Sequence, residues 1–243
     1  DLDKISKVAR KYNLIVIEDA ACALGSIYKN KKIGSFGQAV CLSFHPRKVI
    51  TTGEGGIILT SDKKLAGVLK ILRHQGMSVS DITRHRAKKI IHEDFPIIGY
   101  NFRMSDLQAA VGVEQIKKLP AILKRRSILA SRYTKAFSNS KHIISSFVPE
   151  GYVHNFQSYI IRLRSNKVTR DNLRQKLLNE GIATQIGIMA THLTPPYKKM
   201  FPKLFLPATE AASKETITIP LYFQMTEKEQ DFVIGKILKF SGG

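Results

Sequence analysis

The fold is decided by the stretch LIVIED at residues 14–19, where four apolar residues are followed by two acids. A short continuous apolar run is typical of a strand that is buried on both faces of a parallel sheet. Open α/β sheets place ligand-binding groups at the carboxyl ends of such strands. Asp19 is therefore a candidate binding residue, and the plainer alternative is that its carboxylate forms a salt bridge or caps a helix.

The segments on either side of this stretch predict an α/β arrangement. Residues 3–12 have apolar side chains at helical spacing and are expected to form a helix that ends at Asn13. Residues 39–44 and 57–60 are apolar and strand-like, and residues 62–73 again have a helical pattern. A helix, a buried strand, further strands and a helix together indicate layers of helices packed on a sheet.

The middle of the chain is expected to contain a loop and two helices. Residues 75–100 show weak periodicity and several charges, which predicts a long functional loop or lid. Residues 105–108, SDLQ, have the spacing of a capping box and should open a helix that runs to about Lys118. Pro120 should begin a second helix, to about Phe137, that connects two domains.

The last part of the chain predicts a small α+β domain, spanning residues 120–243 after a first domain of residues 1–119. Residues 159–163 read as a strand, and residues 170–179 read as a helix. Residues 226–229, TEKE, form a second capping box and should begin the final helix. The alternation of strands and helices is that of a separate small domain.

The net charge of +20 is the strongest signal in the composition. A nucleic-acid binder would concentrate such charge in a stripe that is interleaved with aromatic side chains. Here the 39 lysines and arginines are scattered along the chain, and the densest cluster, at residues 117–126, has ordinary helical surface spacing. The charge therefore indicates a solvated surface or the attraction of a small anionic substrate, and no nucleic-acid partner is expected.

Composition and cysteine content favour a cytoplasmic globular protein. The chain has 43% hydrophobic residues and no apolar run of about eighteen residues that could span a bilayer. Cys22 and Cys41 stand far apart, which predicts no disulfide framework and no metal site and fits a reducing compartment. The first residues, DLDK, lack an initiating methionine and the order of a signal peptide, so we expect a processed chain or a part of a longer one.

A second chemical signal comes after the strand expected at residues 39–44. The run SFHPRK at residues 43–48 leads into a glycine-rich turn, so Lys48 lies close to a strand end. Most lysines are surface residues, but glycine lets the backbone approach another group closely. Chemistry with pyridoxal phosphate (PLP) requires a lysine amine for a Schiff base, a carboxylate for the ring nitrogen and donors for the phosphate. Lys48, Asp19 and Ser43 would supply these three groups.

Several runs of the sequence resemble one known protein family. They stand in the family's order and cover nearly the whole chain. The larger runs are residues 17–25 (IEDAACALG), 34–37 (GSFG), 43–56 (SFHPRKVITTGEGG) and 99–110 (GYNFRMSDLQAA), and the smaller ones are residues 155–159, 187–192 and 195–197. The chain thereby resembles the DegT/DnrJ/EryC1/StrS family of PLP-dependent sugar aminotransferases.

The resemblance implies an α/β fold of the aspartate-aminotransferase-like type (fold type I), with a partial large domain followed by the small α+β domain. Lys48 matches the family's Schiff-base lysine and Asp19 matches the partner of the pyridine nitrogen. Ser43 matches a phosphate ligand, and Asn101 matches a residue that reaches the phosphate from the neighbouring subunit. Cys22 stands near the cofactor ring, where many members have Gln or His, and a thiol donates a weaker hydrogen bond.

The resemblance also implies a substrate and an assembly. His192 and Arg103 match positions near the substrate, although a loop histidine satisfied by backbone groups is an equally simple interpretation of His192. The implied reaction transfers an amino group, from glutamate as amino-acid donor, to a keto group of a nucleotide-linked deoxysugar in polysaccharide biosynthesis. The implied assembly is a homodimer with shared sites, with no membrane or nucleic-acid partner.

Three departures from the family pattern stand out. The family's large domain begins before residue 3, so we expect the N-terminal part of that domain to be absent from this sequence. Where members commonly read Arg-x-His-Gly, residues 73–76 read RHQG, which places His74 one position early. Residues 185–186, Gln and Ile, replace what is often a basic pair.

Two alternatives remain within the same fold. One is a PLP-dependent sugar dehydratase, but in those enzymes the Schiff-base lysine is replaced by histidine, so Lys48 favours amino transfer. The other is a non-catalytic regulatory or scaffolding member of the family. Absorbance of bound cofactor would distinguish the second alternative from an enzyme.

Overall fold

The structure is a computed structural model that describes residues 1–79 and 81–242. The chain forms two compact units, which we describe separately. The first unit contains Asp1–Leu119 and the short segment Gly151–Val153, and the second contains Pro120–Glu150 and His154–Gly243. The assignment of these units to domains of the whole protein stays a prediction.

Both halves of the chain contain helices and strands. The first half contains α1 (Leu2–Lys11), β1 (Ile17–Asp19), β2 (Ile27–Tyr28), β3 (Lys31–Lys32), β4 (Ala39–Ser43), β5 (Gly56–Leu59), α2 (Lys63–Leu72), α3 (Asp81–Arg86) and α4 (Asp106–Phe137). The second half contains β6 (Ile143–Ser145), β7 (Tyr152–Val153), β8 (Tyr159–Leu163), α5 (Arg170–Asn179), β9 (Gln185–Ile186), α6 (Pro195–Met200), α7 (Pro207–Glu215), β10 (Thr216–Ile219) and α8 (Glu227–Ser241).

The main sheet of the first unit has the order β1-β4-β5. Strands β1 and β4 are parallel, with Asp19 opposite Cys41, and β5 runs antiparallel to β4. The buried centre of this sheet is small and includes Val40 and Leu42 of β4. Strands β3, β2 and β7 form a second small sheet. The predicted parallel pairing at the LIVIED stretch is therefore confirmed.

The prediction that residues 14–17 form a strand buried on both faces is wrong. The strand begins at Ile17, and the side chains of Ile15 and Ile17 are 77% and 68% exposed. Strand β1 is an edge strand of a three-stranded sheet, so it pairs on one side only. Apolar composition indicates a tendency to be buried, whereas the burial itself depends on what packs against the strand.

The predicted break at Pro120 is also wrong, because α4 is one continuous helix of 32 residues with Pro120 inside it. Proline lacks a backbone N–H and usually ends or bends a helix, but flanking helical residues can hold it in place. The predicted capping box at the start of α4 is confirmed. The Ser105 hydroxyl accepts a hydrogen bond from the Gln108 backbone N–H, and the Gln108 side chain accepts one from the Ser105 N–H.

The segment predicted as a loop, residues 75–100, contains the short helix α3. Its two ends meet at Gly76 and Gly99, which we call the glycine neck. A Cβ atom on Gly76 would overlap the carbonyl of Ile97, and one on Gly99 would overlap the backbone of Gly76. Gly76 also has φ +84°, where glycine is favoured. The neck therefore requires glycine at both positions.

The second unit is built on a four-stranded sheet with the order β6-β8-β10-β9. Strand β8 alternates buried and half-buried side chains, as expected of a strand with one face on a core. The core of the second unit is well developed. Its fully buried side chains include Tyr133, Tyr159, Ile161, Ile217 and Ile237. The predicted small α+β arrangement is thus present in this unit.

Helix ends in the second unit agree with the sequence. Helix α5 has the predicted limits, and Gly181, with φ +76°, comes after it in the left-handed region. The capping box at Thr226 is confirmed at the start of α8, with reciprocal hydrogen bonds between Thr226 and Glu229. Within the described residues, none of the helices is both long enough and apolar enough to cross a membrane.

Candidate active site

The carboxyl ends of the parallel strands β1 and β4 carry two of the predicted site residues. Asp19 is the last residue of β1, and its exposed side chain accepts, at Oδ1, a hydrogen bond of 3.1 Å from the backbone N–H of Ala21. Ser43 is the last residue of β4, two positions beyond the partner of Asp19. The structure therefore places a carboxylate and a hydroxyl at the same edge of the sheet.

Lys48 lies in a turn that connects β4 to β5 and is closed by backbone hydrogen bonds. The N–H of Phe44 donates to the carbonyl of Gly55 across 2.8 Å, and the N–H of Thr52 donates to the carbonyl of Phe44 across 3.0 Å. Val49 and Ile50, which come directly after Lys48, are buried. Because these two apolar side chains anchor the turn, the half-buried Lys48 has a defined position near the end of β4.

The amine of Lys48 meets the thiol of Cys22. Lys48 Nζ donates to Cys22 Sγ across 3.0 Å, which brings the turn after β4 against the turn after β1. Cys22 is exposed, is not part of a disulfide and lies three residues beyond Asp19. This contact brings Lys48, from the turn after β4, to the turn that comes after Asp19 at the end of β1. Lys48 and Cys22 are 26 positions apart in the sequence.

The glycine-rich turn packs tightly, and α4 helps to hold it. A Cβ atom on Gly55 would overlap the Thr52 hydroxyl and approach Met104 Cε to 2.9 Å. The carbonyl of Glu54 accepts hydrogen bonds from the Thr52 hydroxyl and from Gln108 Nε2, at 2.7 and 3.0 Å. The sequence interpretation missed this hydrogen bond from Gln108 to the glycine-rich turn. The capping box already explained why glutamine stands at this position, so no second role was expected.

Asn101 and Arg103 lie between the glycine neck and the start of α4. Both residues are exposed. Asn101 forms an antiparallel bridge with His74, and a guanidinium nitrogen of Arg103, Nη1, lies 3.0 Å from His74 Nδ1. His74, which stands one position before the histidine that is common in the family, is therefore in direct contact with Arg103.

His192 belongs to the second unit and has a partner of its own there. It is 8% exposed, and its Nε2 lies 3.2 Å from Glu210 Oε1. The hydrogen bond from His192 holds the pKa of the Glu210 carboxyl below its ordinary value. The partner of His192 is thus a carboxylate rather than the backbone groups considered for a loop histidine, and its substrate role stays a prediction.

Residues 1–238 match the DegT/DnrJ/EryC1/StrS aminotransferase family. The chain belongs to this family. The resemblance drawn from the sequence runs is therefore confirmed over nearly the whole length of the chain. Members of the DegT/DnrJ/EryC1/StrS family use PLP as their cofactor.

Two curated relatives and one solved structure illustrate the family relationship. An uncharacterized protein of Methanocaldococcus jannaschii is 35% identical over 243 residues, which cover 98% of this chain and 63% of that protein. The spore coat polysaccharide biosynthesis protein SpsC of Bacillus subtilis is 35% identical over 239 residues, covering 96% of this chain and 61% of SpsC. The chain therefore spans less than two thirds of the length of these relatives.

The solved structure is Helicobacter pylori PseC, an aminotransferase involved in the biosynthesis of pseudoaminic acid. It superposes with a TM-score of 0.90 at 26% identity, covering all of this chain and 64% of PseC. The predicted fold class, the α/β fold of PLP-dependent transferases, is confirmed by this similarity. The name of SpsC connects that relative with the biosynthesis of a spore coat polysaccharide.

The residues at the end of the β1–β4 pair fit PLP by their chemistry. Lys48 offers an amine, Asp19 an exposed carboxylate and Ser43 a hydroxyl, which are the three kinds of group that PLP requires. The tight backbone around Gly55 shows that the turn beside them is compact rather than open. In this site Lys48 would bind the cofactor covalently, Asp19 would face its ring nitrogen and Ser43 its phosphate.

Proposed function

We propose that the protein is a PLP-dependent aminotransferase that moves an amino group from glutamate onto a keto group of a nucleotide-linked deoxysugar. The observation that carries this proposal is the contact between Lys48 Nζ and Cys22 Sγ. It places an amine beside the turn that comes after Asp19, at the carboxyl ends of two parallel strands. Family membership agrees with this arrangement of residues.

In this proposal each residue has a distinct task. PLP supplies, when bound, an electron sink for the electrons of the bond that breaks at the substrate carbon. Asp19 keeps a proton on the ring nitrogen, because its carboxylate stabilises the charged form of that nitrogen. Lys48 Nζ would hold the cofactor and would move a proton at the substrate carbon as general base and acid.

The sugar substrate is supported by two relatives and by charge. The names of SpsC and PseC connect those proteins with polysaccharide and pseudoaminic acid biosynthesis. The net charge of +20 would attract a substrate that carries a diphosphate. Lys48 favours amino transfer over sugar dehydration, which uses histidine at that position. Two thiols that are not joined in a disulfide, Cys22 and Cys41, support action in a reducing cytoplasm.

A half-reaction tests the proposal without knowledge of the sugar. The complete protein, loaded with PLP and given glutamate alone, should release 2-oxoglutarate and stop at about one equivalent per site, because the amino group then has no acceptor. Adding a nucleotide-linked keto sugar should restart the release. A protein that binds PLP but releases no 2-oxoglutarate would be either a user of another donor or a non-catalytic member, and a panel of amino acids separates these outcomes.

We further propose that the protein works as a homodimer with sites shared between subunits. Asn101 is exposed and leads into the first half of α4, where several large apolar side chains face solvent. These exposed side chains of α4 include Leu107, Val111, Val113 and Ile116, and Phe102 is exposed just before the helix. Large apolar side chains left exposed over so short a stretch favour an interface, and a second copy of the chain would bring Asn101 to the site that contains Lys48.

Mixing two inactive variants tests the shared site. A Lys48→Ala protein and an Asn101→Ala protein should each be inactive, and their heterodimers should contain one intact site. Random exchange would restore about a quarter of the wild-type activity, since about half of the dimers are mixed and each has one working site of two. Differently tagged subunits confirm the exchange. Confirmed heterodimers without activity, or an active monomer, would exclude the shared-site proposal.

A further inference from the structure

The side chain of His74 is buried beside Arg103. None of the residue roles proposed above uses this side chain. It is 9% exposed, and its Nδ1 lies 3.0 Å from Nη1 of Arg103. A guanidinium can only donate hydrogen bonds, and it stays protonated at all ordinary pH values. His74 Nδ1 must therefore be the acceptor, so the imidazole is neutral and carries its proton on Nε2.

The backbone around His74 is tied to the segment that carries Arg103. His74 and Asn101 form an antiparallel bridge, the N–H of Gln75 donates to the carbonyl of Tyr100 across 2.8 Å, and the N–H of Phe102 donates to the carbonyl of Arg73 across 3.0 Å. The glycine neck, Gly76 and Gly99, lies directly next to these backbone hydrogen bonds. The position of the imidazole relative to the segment of Arg103 is thus set by several backbone hydrogen bonds.

The other ring nitrogen of His74 argues against a purely stabilising role. His74 Nε2 is buried and lacks a hydrogen-bond partner among the described residues. A buried donor without a partner costs stability, and an apolar side chain of similar size would avoid that cost. What His74 offers in return is the acceptor at Nδ1, which an apolar residue could not provide.

We propose that His74 is a positioning residue that holds the Arg103 guanidinium so that other donors of the guanidinium meet an oxyanion of the substrate. The inference rests on the proposed function and on the position near the substrate that the family resemblance implies for Arg103. Arg103 is exposed and has five N–H donors in a planar fork, and this geometry suits a carboxylate or a phosphate. The oxyanion is thus either the carboxylate of the amino donor or a phosphate of the sugar nucleotide.

Two amide variants separate the two ring nitrogens. In His74→Asn the side-chain oxygen lies as many bonds from the backbone as Nδ1 does, whereas the amide of His74→Gln corresponds in position to Nε2. We expect His74→Asn to retain most of the function. His74→Gln and His74→Phe should raise KM for the anionic substrate by about ten- to hundredfold, the effect of losing a hydrogen bond to a charged group, and change kcat less.

Each substrate gives its own KM, so one set of assays identifies the oxyanion. A rise in the KM for glutamate indicates the donor carboxylate, and a rise in the KM for the sugar nucleotide indicates the phosphate. In an Arg103→Ala background, His74→Gln should have no further effect, because the two residues act as one unit. Additive effects, or a fall in kcat at unchanged KM for both substrates, would overturn the positioning role.

Two measurements do not depend on any variant being active. Long-range proton–nitrogen NMR of histidine-labelled protein should show His74 as the neutral form with its proton on Nε2, and a proton on Nδ1 would overturn the inference. The midpoint of thermal unfolding of His74→Phe should equal or exceed that of the wild type, and a marked fall would show that His74 is structural. A wild-type protein that takes an amino group from no amino acid of the panel would instead disprove the proposed function, and the NMR result would still decide the contact with Arg103.

Discussion

Replacing Lys48 by alanine is expected to abolish the release of 2-oxoglutarate from glutamate. The variant loses both the covalent attachment of PLP and the group that moves the proton, so no residual pathway through this site remains. The wild-type protein with PLP should be yellow, and borohydride reduction should attach the cofactor to the peptide that contains Lys48. Absorbance, peptide mass and 2-oxoglutarate release measure the three effects separately.

The control for this prediction is another lysine of the same unit. Lys64 is exposed near the start of α2, and Lys64→Ala should leave colour, labelling and release unchanged. The thermal stability of Lys48→Ala should remain close to that of the wild type, because the buried anchors of the turn are its neighbours Val49 and Ile50 rather than Lys48 itself. Borohydride labelling of a different lysine would show that the assignment of Lys48 is wrong.

The second large effect is expected at Asp19. Asp19→Asn should lower turnover by orders of magnitude, because an amide cannot keep the ring nitrogen protonated and the electron sink is then weak. The amide oxygen can still accept the hydrogen bond from the Ala21 N–H, so the fold and the attachment of PLP to Lys48 should survive. Steady-state turnover, measured beside the absorbance of bound PLP, separates the loss of chemistry from a loss of cofactor.

The neighbouring acid Glu18 is a matched control for Asp19. Its carboxylate accepts a hydrogen bond from the backbone N–H of Gly37, so it serves the structure of the sheet edge. Glu18→Gln retains an acceptor oxygen and should retain most of the turnover. Near-normal turnover in Asp19→Asn would mean that Asp19 has only the local structural role that its hydrogen bond to Ala21 already shows.

Local sequence signals predicted several helix ends correctly, because a helix end depends mainly on neighbouring residues. The capping boxes at Ser105 and Thr226 and the limits of α5 are set by side chains that are within four positions of the groups they satisfy. Helical periodicity and capping are properties of one turn of chain. Such features could therefore be predicted without knowledge of the rest of the fold.

Features that depend on distant partners could not be predicted in this way. The exposure of Ile15 depends on which elements cover the sheet, and a hydrophobic run contains no information about them. The contacts of Lys48 with Cys22 and of Arg103 with His74 join residues that are 26 and 29 positions apart. The motifs predicted which residues form the site, whereas the pairing of these residues required the three-dimensional arrangement.

The glycine neck makes the positions of Asn101 and Arg103 independent of the length of the segment before them. Because Gly76 and Gly99 bring the two ends of that segment together, residues inserted between them would lengthen a closed lobe and leave Asn101 and Arg103 where they are. Doubling the length of such a lobe costs only about 0.6 kcal/mol in closure entropy. The segment between Gly76 and Gly99 can therefore vary in length without displacing the residues that follow it.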